Sequence, residues 1–291
     1  MHSWPVGHYG QVSELCRIPG VTDKIRRPLV RGCGCAAVLA VILVGALIIL
    51  IGTAIFNGFS DRGASPSRTL QPVPEEVPPA APAEVAAIDV NAPGRTADRL
   101  TYWSEDLAEQ TAIDPQALRA YGNAELIAKQ SWPECNLRWN TLAGIGWVET
   151  RHGTYSGNFF KPSKLDENGY ADPPIIGIPL DGSNNTAKIP DTDGGEFDND
   201  TEFDRAVGPM QFIPESWARH GRDADGDDYP NPQQIDDAAL ASAHLLCSHG
   251  RDLGTEQDWL DAIYSYNYSQ DYVSRVARAA NSYAIGQPAS S

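Results

Sequence analysis

Leu142-Ala143-Gly144-Ile145-Gly146-Trp147-Val148-Glu149-Thr150-Arg151-His152-Gly153 is the stretch from which the rest of the chain can be read. Its small and apolar residues predict a helix packed tightly into a core, capped by Asn140 or Thr141 and stopped by Gly153. One carboxylate, Glu149, sits close to that stop. Burial disfavours the charged form of a carboxyl group, so a glutamate among apolar neighbours keeps its proton towards neutral pH, as a general acid must. Trp147 and Val148 offer such neighbours, while Arg151 pulls the other way. The plain alternative is an exposed or ion-paired glutamate near a helix end.

Helical signals dominate on both sides. Residues 99–111 place Leu100, Trp103, Leu107 and Ala108 on one face. Asp114-Pro115 reads as a cap followed by proline at the first helical position, opening a helix over 115–130 with Leu118, Tyr121, Ala124 and Ile127 or Ala128 inward. The pattern returns at 238–249, 259–267 and 269–284, with residues 286–291 expected as a flexible tail. Between them, 155–205 is rich in Gly, Pro, Asp and Asn; its strand-like pieces, 175–178 and 186–189, predict a small hairpin lobe around the turn 181–185.

Outside this region the chain changes character. Residues 36–56 are uncharged and mostly apolar, and 21 residues at ~1.5 Å each cover the ~30 Å core of a bilayer. Arg17, Lys24, Arg26, Arg27 and Arg31 precede them against only Glu14 and Asp23, which predicts a cytoplasmic segment 1–35, a single-pass anchor 36–56 and an outer bulk. Residues 57–96 carry prolines at 66, 72, 74, 78, 79, 82 and 93, and read as a disordered Pro/Ala-rich linker. The folded domain is expected over 97–285.

Residues 97–291 hold 14 Lys and Arg against 31 Asp and Glu, a net charge of −17, which disfavours nucleic acid as a partner. The acidity is local: 191–204 holds 7 of the acids and 223–237 holds 6, neither with a base. This outer region has two cysteines, Cys135 and Cys247, either one disulfide or two buried thiols. The six histidines have no zinc spacing, and no nucleotide-binding glycine motif or nucleophile elbow is present.

Two further motifs follow Glu149. In Ala206-Val207-Gly208-Pro209-Met210-Gln211-Phe212-Ile213-Pro214-Glu215-Ser216-Trp217, Gly-Pro gives a tight turn and Gln211 offers a donor and an acceptor to a sugar; Met210, Phe212 and Trp217 are either groove or plain core. In Tyr264-Ser265-Tyr266-Asn267-Tyr268-Ser269-Gln270-Asp271-Tyr272-Val273, rings such as Tyr266 and Tyr272 can stack on sugar faces and Asn267 can hold a hydroxyl; the alternative is helix packing with Ser269 as an N-cap.

In this order the three motifs resemble the membrane-bound lytic murein transglycosylases of the B type, in an actinobacterial-like anchored form, over roughly residues 97–284. The resemblance implies a lysozyme-like α+β domain, mostly α with a small β-hairpin lobe. It further implies Glu149 as sole catalytic acid and base, Gln211 and Asn267 against the sugar, and Tyr272 in the groove. The implied substrate is the glycan of peptidoglycan, cleaved between N-acetylmuramic acid and N-acetylglucosamine to a 1,6-anhydro product. A serine that supports the glutamate in that family falls here near Glu202 to Asp204, where no serine stands. A lysozyme-type hydrolase drawing a second acid from 191–204, and a non-catalytic calcium-dependent wall-binding protein, are the competing expectations.

The acid loop Asp223-Ala224-Asp225-Gly226-Asp227-Asp228-Tyr229-Pro230-Asn231 sets carboxylates at alternate positions, as a Ca²⁺ loop does. The usual glutamate at position 12 is Gln234 and the glycine at position 6 is Asp228. In the family resembled, the loop closes on a later aspartate, here Asp237, and the Tyr229 carbonyl is a further expected ligand. A solvated acidic turn is the alternative. Any such ion would brace the loop and take no part in the chemistry.

Overall fold

The computed structural model describes residues 70–155, 157, 161–184 and 186–290. The expected cytoplasmic segment, the apolar run 36–56 and the start of the linker lie outside these residues. Among the described residues no helix is long and apolar enough to cross a membrane.

A 3-10 turn (Thr96–Leu100) leads into α1 (Thr101–Thr111). The Asp114 carboxylate accepts from the Gln116 amide at 2.8 Å and Pro115 takes the first position, which opens α2 (Pro115–Ser131) as its sequence implies. Helix α3 (Trp139–Thr150) is apolar on nearly all sides: Trp139, Leu142, Ala143 and Ile145 are completely buried, so it runs through the middle of the core. After α4 (Pro214–His220) come α5 (Ile235–Cys247), α6 (Glu256–Tyr266) and α7 (Gln270–Ala284). Ser269 caps α7 through the Tyr272 amide and Thr255 caps α6 through that of Asp258.

The sheet content is small. Strands β1 (Lys164–Leu165) and β2 (Ala171–Asp172) form one antiparallel pair, β3 (Ile176–Pro179) and β4 (Arg205–Val207) another, with Ile176 opposite Val207 and Pro179 opposite Arg205. The expected partner of 175–178, residues 186–189, meets the chain before the turn at the Asp181–Lys188 bridge and the Leu180–Ile189 hydrogen bond, and the Ile189 carbonyl accepts from the Asp204 amide. Across the β3–β4 pair, Arg205 Nη1 donates to the Gly177 carbonyl at 3.1 Å.

Cys135, in a 3-10 turn after α2, is disulfide-bonded to Cys247 at the end of α5, with their Cα atoms 5.4 Å apart. The bond closes α2 onto α5, two helices that pack along their length.

Residues 70–96 correct the sequence reading. Rather than a free spacer, they are a strap laid over the helices. Asn281, fully buried on α7, accepts from the Ala80 amide at 3.1 Å and donates to the Glu76 carbonyl at 2.8 Å. Asn140 donates to the Ala80 carbonyl, Trp139 to that of Ala83 and Trp103 to that of Glu84. Gln287 holds both the amide and carbonyl of Gln71, at 3.0 and 2.9 Å, so residues 286–290 are tied down rather than frayed. Composition could not reveal this, because the strap is held through its backbone, and backbone groups are the same in every sequence. The folded unit therefore begins at Leu70.

Asn281→Ala removes both bonds to the strap, so the Ala80 amide and the Glu76 carbonyl lose their partner on α7. The expected cost is about 1–3 kcal/mol, a fall in melting temperature of roughly 3–10 °C by calorimetry. An unchanged melting curve would show that the strap contributes nothing to the fold.

Candidate active site

Glu149 stands in the last turn of α3, and Tyr272, in the first turn of α7, donates from its hydroxyl to Glu149 Oε1 at 2.6 Å. Burial pushes the Glu149 carboxyl up to about 7, against the Tyr272 hydrogen bond and the Arg275 charge, which both favour the ionised form. The same burial raises the Tyr272 hydroxyl, so it remains a donor.

The turn after α3 is fixed by the backbone. Arg151, His152 and Gly153 all have positive φ, at 54°, 61° and 82°. The Thr150 hydroxyl donates to the Pro209 carbonyl at 2.6 Å and accepts from the Gly153 amide at 2.8 Å. That ties Glu149 to the Gly-Pro turn. There, Val207 and Phe212 bond amide to carbonyl in both directions, and Gln211 is turned by a φ of 52° with its Nε2 donating to the Gly208 carbonyl at 3.0 Å. A Cβ on Gly208 would fall 1.7 Å from the Pro232 carbonyl oxygen, so glycine is obligatory at this close approach.

Glu149, Thr150, Tyr155, Gly157, residues 175–178, Arg205 and Gln211 line an open groove of about 330 Å³. Behind it runs a row of rings. Tyr272 stacks on Tyr266 at 6.3 Å and 9°, Tyr266 meets Phe212 edge-on at 5.7 Å, and Phe212 meets Trp217 at 5.5 Å. Tyr266 donates to the Met210 carbonyl at 2.6 Å.

Glu149 and Gln211 both line the groove, and Tyr272, buried behind it, reaches the groove only through its bond to Glu149. Met210 is completely buried and Phe212 is 3% exposed, so both side chains belong to the core, and Met210 contributes its carbonyl. Tyr266 is half-buried and braces rather than lines the groove. Asn267 is exposed just beyond α6, its amide bonded to the Ile263 carbonyl, and it is not among the groove-lining residues. Arg205, Tyr155 and Arg275 escaped the sequence reading. Arg205 is held by an ion pair with Asp200 at 2.8 Å, a pairing within five residues that the acidic run hid.

The acidic loop 191–204 turns its carboxylates into its own backbone. Asp191 accepts from the amides of Asp193, Gly194 and Gly195, Asp193 from Gly195 and Phe197, and Asp198 from Asp200 and Arg205. Asp204, fully buried, takes both the amide and the hydroxyl of Thr192. Among the described residues lining the groove, Glu149 is the one carboxylate.

In the second acidic loop, carboxylate oxygens of Asp223, Asp225 and Asp227 lie within 4.8 Å of one another. Asp237, fully buried at the start of α5, accepts from the Ala224 amide at 2.7 Å and the Asn231 amide at 2.8 Å, closing the loop. Burial first, and then the neighbouring carboxylates, push Asp225 up to about 6 and Asp237 to about 7. The same carboxylates accept amides of their own loop, Asp223 from Gly226 and Asp228, Asp225 from Asp227, and Asp227 from Tyr229; their converging oxygens are the kind of hard donor that could hold a divalent cation such as Ca²⁺. Tyr229 stands in this loop with its hydroxyl on Glu196 at 3.3 Å.

No family model matches the sequence, and no curated protein matches it. Among solved structures the chain is similar to the Escherichia coli lytic transglycosylase Slt35 in complex with bulgecin A, at 14% identity and a TM-score of 0.35, over 63% of this chain and 78% of that one. The chemistry of the site therefore rests on its own residues.

The raised pKa of Glu149 has a stability signature. A carboxyl whose folded pKa lies above its unfolded value contributes stability below the unfolded pKa and loses it as pH rises through the folded one. Here that window runs from the ordinary value of 4.5 to about 7. Glu149→Gln, which stays neutral and can still accept from Tyr272, is expected to match the parent near pH 4.5. By pH 8 it should exceed it by on the order of 1–3 kcal/mol in urea unfolding. Equal stability at both pH values would mean that Glu149 titrates as an ordinary surface acid.

Proposed function

We propose that this protein is a lytic transglycosylase that cleaves the β-1,4 bond between N-acetylmuramic acid and N-acetylglucosamine in peptidoglycan. The feature that carries this reading is a carboxyl group in an open groove, pushed up by burial to about 7, with no second acid among the described residues lining that groove. Retaining and inverting glycosidases need a pair of carboxylates, roughly 5 Å or 6.5–9.5 Å apart. One suffices where the nucleophile belongs to the substrate.

Glu149 gives its proton to the departing O4 of N-acetylglucosamine as the C1–O4 bond breaks. It then takes the proton from the muramyl 6-hydroxyl as that oxygen bonds to C1. The 1,6-anhydro end forms, no water is consumed, and the carboxyl returns protonated. A pKa near the working pH suits a group that must act once as acid and once as base. Tyr272 holds Oε1 throughout. Gln211 uses its donor side on Gly208, which leaves its acceptor oxygen for a sugar N–H or O–H, and Arg205 adds donors along the same wall.

Residues 36–56 act as the single-pass anchor in this reading, with the catalytic unit on the outer face against the wall. The Cys135–Cys247 disulfide supports a compartment outside the reducing cytosol. Asp223, Asp225, Asp227, Asp237 and the Tyr229 carbonyl would hold a Ca²⁺ ion, which neutralises the loop leading into α5.

Purified sacculi digested by the protein should release muropeptides one water lighter than their reducing-end forms by mass spectrometry, and Glu149→Gln should release almost none. Products with ordinary reducing ends would favour hydrolysis with water activated elsewhere, and an equally active Glu149→Gln would end the assignment of the acid.

Excess Ca²⁺ is expected to raise the melting temperature of the parent, because a ligand bound to the native state stabilises it by mass action. The rise should vanish in Asp225→Ala. A parent that melts alike in Ca²⁺ and in chelator has no such site.

A further inference from the structure

Three residues beyond Glu149, His152 is almost completely buried, and both of its ring nitrogens are engaged. Nδ1 lies 3.1 Å from the Tyr121 hydroxyl on α2, and Nε2 lies 2.9 Å from the Tyr283 hydroxyl on α7. Tyr121 and Tyr283 are buried as well. The Tyr121 hydroxyl also lies 4.0 Å from Met210 Sδ. Each tyrosine hydroxyl can give or take a proton, so the pair serves either neutral tautomer of the ring. Burial and the nearby Arg151 charge hold the imidazole down at about 3, so the ring is neutral. A neutral ring has one donor and one acceptor, and the two tyrosines match both.

The brace also accounts for a glycine. A Cβ on Gly146 would stand 2.1 Å from the Tyr121 hydroxyl oxygen and 3.3 Å from His152 Nδ1. Gly146 is thus the notch in α3 through which Tyr121 reaches the histidine. The His152 amide in turn bonds to the Gly146 carbonyl at 2.9 Å.

Each end of this brace grips one side of the groove. His152 belongs to the positive-φ turn that ends the glutamate helix. Met210, against Tyr121, precedes Gln211 and follows Pro209, whose carbonyl holds Thr150. We propose that His152 is a positioning residue: clamped between Tyr121 and Tyr283 through the Gly146 notch, it sets where the Glu149 carboxyl stands relative to Gln211 and Tyr272. This rests on Glu149 being the reacting acid. His152 itself touches no substrate and moves no proton. Its action is to hold the last turn of α3 against α2 and α7, so that the carboxyl meets the bond to be cleaved. A misplacement near 1 Å costs about 100-fold in rate.

The test is steady-state kinetics on soluble peptidoglycan glycan strands, with each rate referred to the folded fraction by circular dichroism. His152→Phe should lower kcat about 10- to 100-fold with KM within about threefold. The limb of its pH–rate profile that reports Glu149 should also move away from about 7. His152→Gln, whose amide keeps one donor and one acceptor, should recover part of the loss, and Gly146→Ala should reproduce it. Tyr283→Phe deletes one hydroxyl and nothing else, so it provides a folded variant should the histidine replacements unfold; it should lose kcat several-fold. Parent kcat and an unmoved pH limb in folded His152→Phe or Tyr283→Phe, alongside an inactive Glu149→Gln, would overturn the positioning role and leave the proposed reaction standing. An active Glu149→Gln would overturn both.

Discussion

Gly144 lets α3 and α7 touch. A Cβ there would stand 2.8 Å from the Val276 carbonyl oxygen and 3.3 Å from the Ala280 Cβ, so the two helices approach as closely as their backbones permit. The rest of the site follows from that contact. Tyr272 lies one turn before Val276 on α7, and Glu149 lies beyond Gly144 on α3; with the helices this close, a tyrosine hydroxyl spans the gap at 2.6 Å. At the other end of the same helix pair, Asn140 donates both to the Ala280 carbonyl and to the strap at Ala80. The start of α3 is pinned by Glu125, a buried carboxylate on α2 that accepts from the Trp139 amide at 2.6 Å, where the helix dipole favours negative charge. One helix is therefore fixed at its first amide, at its middle by a missing side chain, and at its end by the histidine brace. A single carboxyl emerges from that rigid element into an open groove.

The chain holds many acids, and nearly all of them near the groove do something other than chemistry. In 191–204 the carboxylates replace secondary structure: with few strands to pair the backbone, the loop satisfies its amides with aspartate oxygens two to twelve residues away. This explains how a long irregular segment can form one wall of a groove. It also removes those acids as partners for Glu149. Asp200, which accepts the Glu202 and Phe203 amides and pairs with Arg205, is held below the usual carboxylate range, whereas burial holds Glu149, with one hydroxyl donor, towards the neutral form. The contrast is set by donors, and composition alone cannot show it.

What could be read in advance was what has a period or a fixed chemistry. The helices at 115–130 and 269–284 carry caps and a 3.6-residue apolar repeat, and both stand within a residue or so of expectation. The roles expected of Glu149, Gln211 and Tyr272 come from the resemblance their three motifs carry; Glu149 and Gln211 line the groove, and Tyr272 bonds the carboxyl from behind it. Two- to four-residue strands have too few positions to show alternation, so the pairing of Ile176–Pro179 with Arg205–Val207, some 30 residues on, was beyond reach. The strap was misread for another reason. Low apolar content argues against a segment folding by itself, but residues 70–84 use a surface already built, where Asn281 and Gln287 copy the hydrogen bonding of a neighbouring strand. Met210 illustrates the limit of motif reasoning: expected against the sugar, its side chain is core, and its carbonyl oxygen, which any residue would supply, takes the Tyr266 hydroxyl.

A buried carboxyl that keeps its proton weakens the fold at neutral pH, since each unit of upward pKa shift is worth about 1.4 kcal/mol against the charged form. The Tyr272 bond limits this cost, because a hydroxyl donated to Oε1 favours the ionised form, as does the Arg275 charge one turn further along α7. Without them burial would drive the acid higher, to a carboxyl that holds its proton too firmly to give it up and then take another. With more donors it would resemble Asp200, which two amides and Arg205 hold below the usual carboxylate range, and have no proton to give. The position near 7 is a balance between how deeply α3 is packed and how many donors α7 can bring to one oxygen. Both are fixed by the distance between the two helices, and that distance is fixed by Gly144.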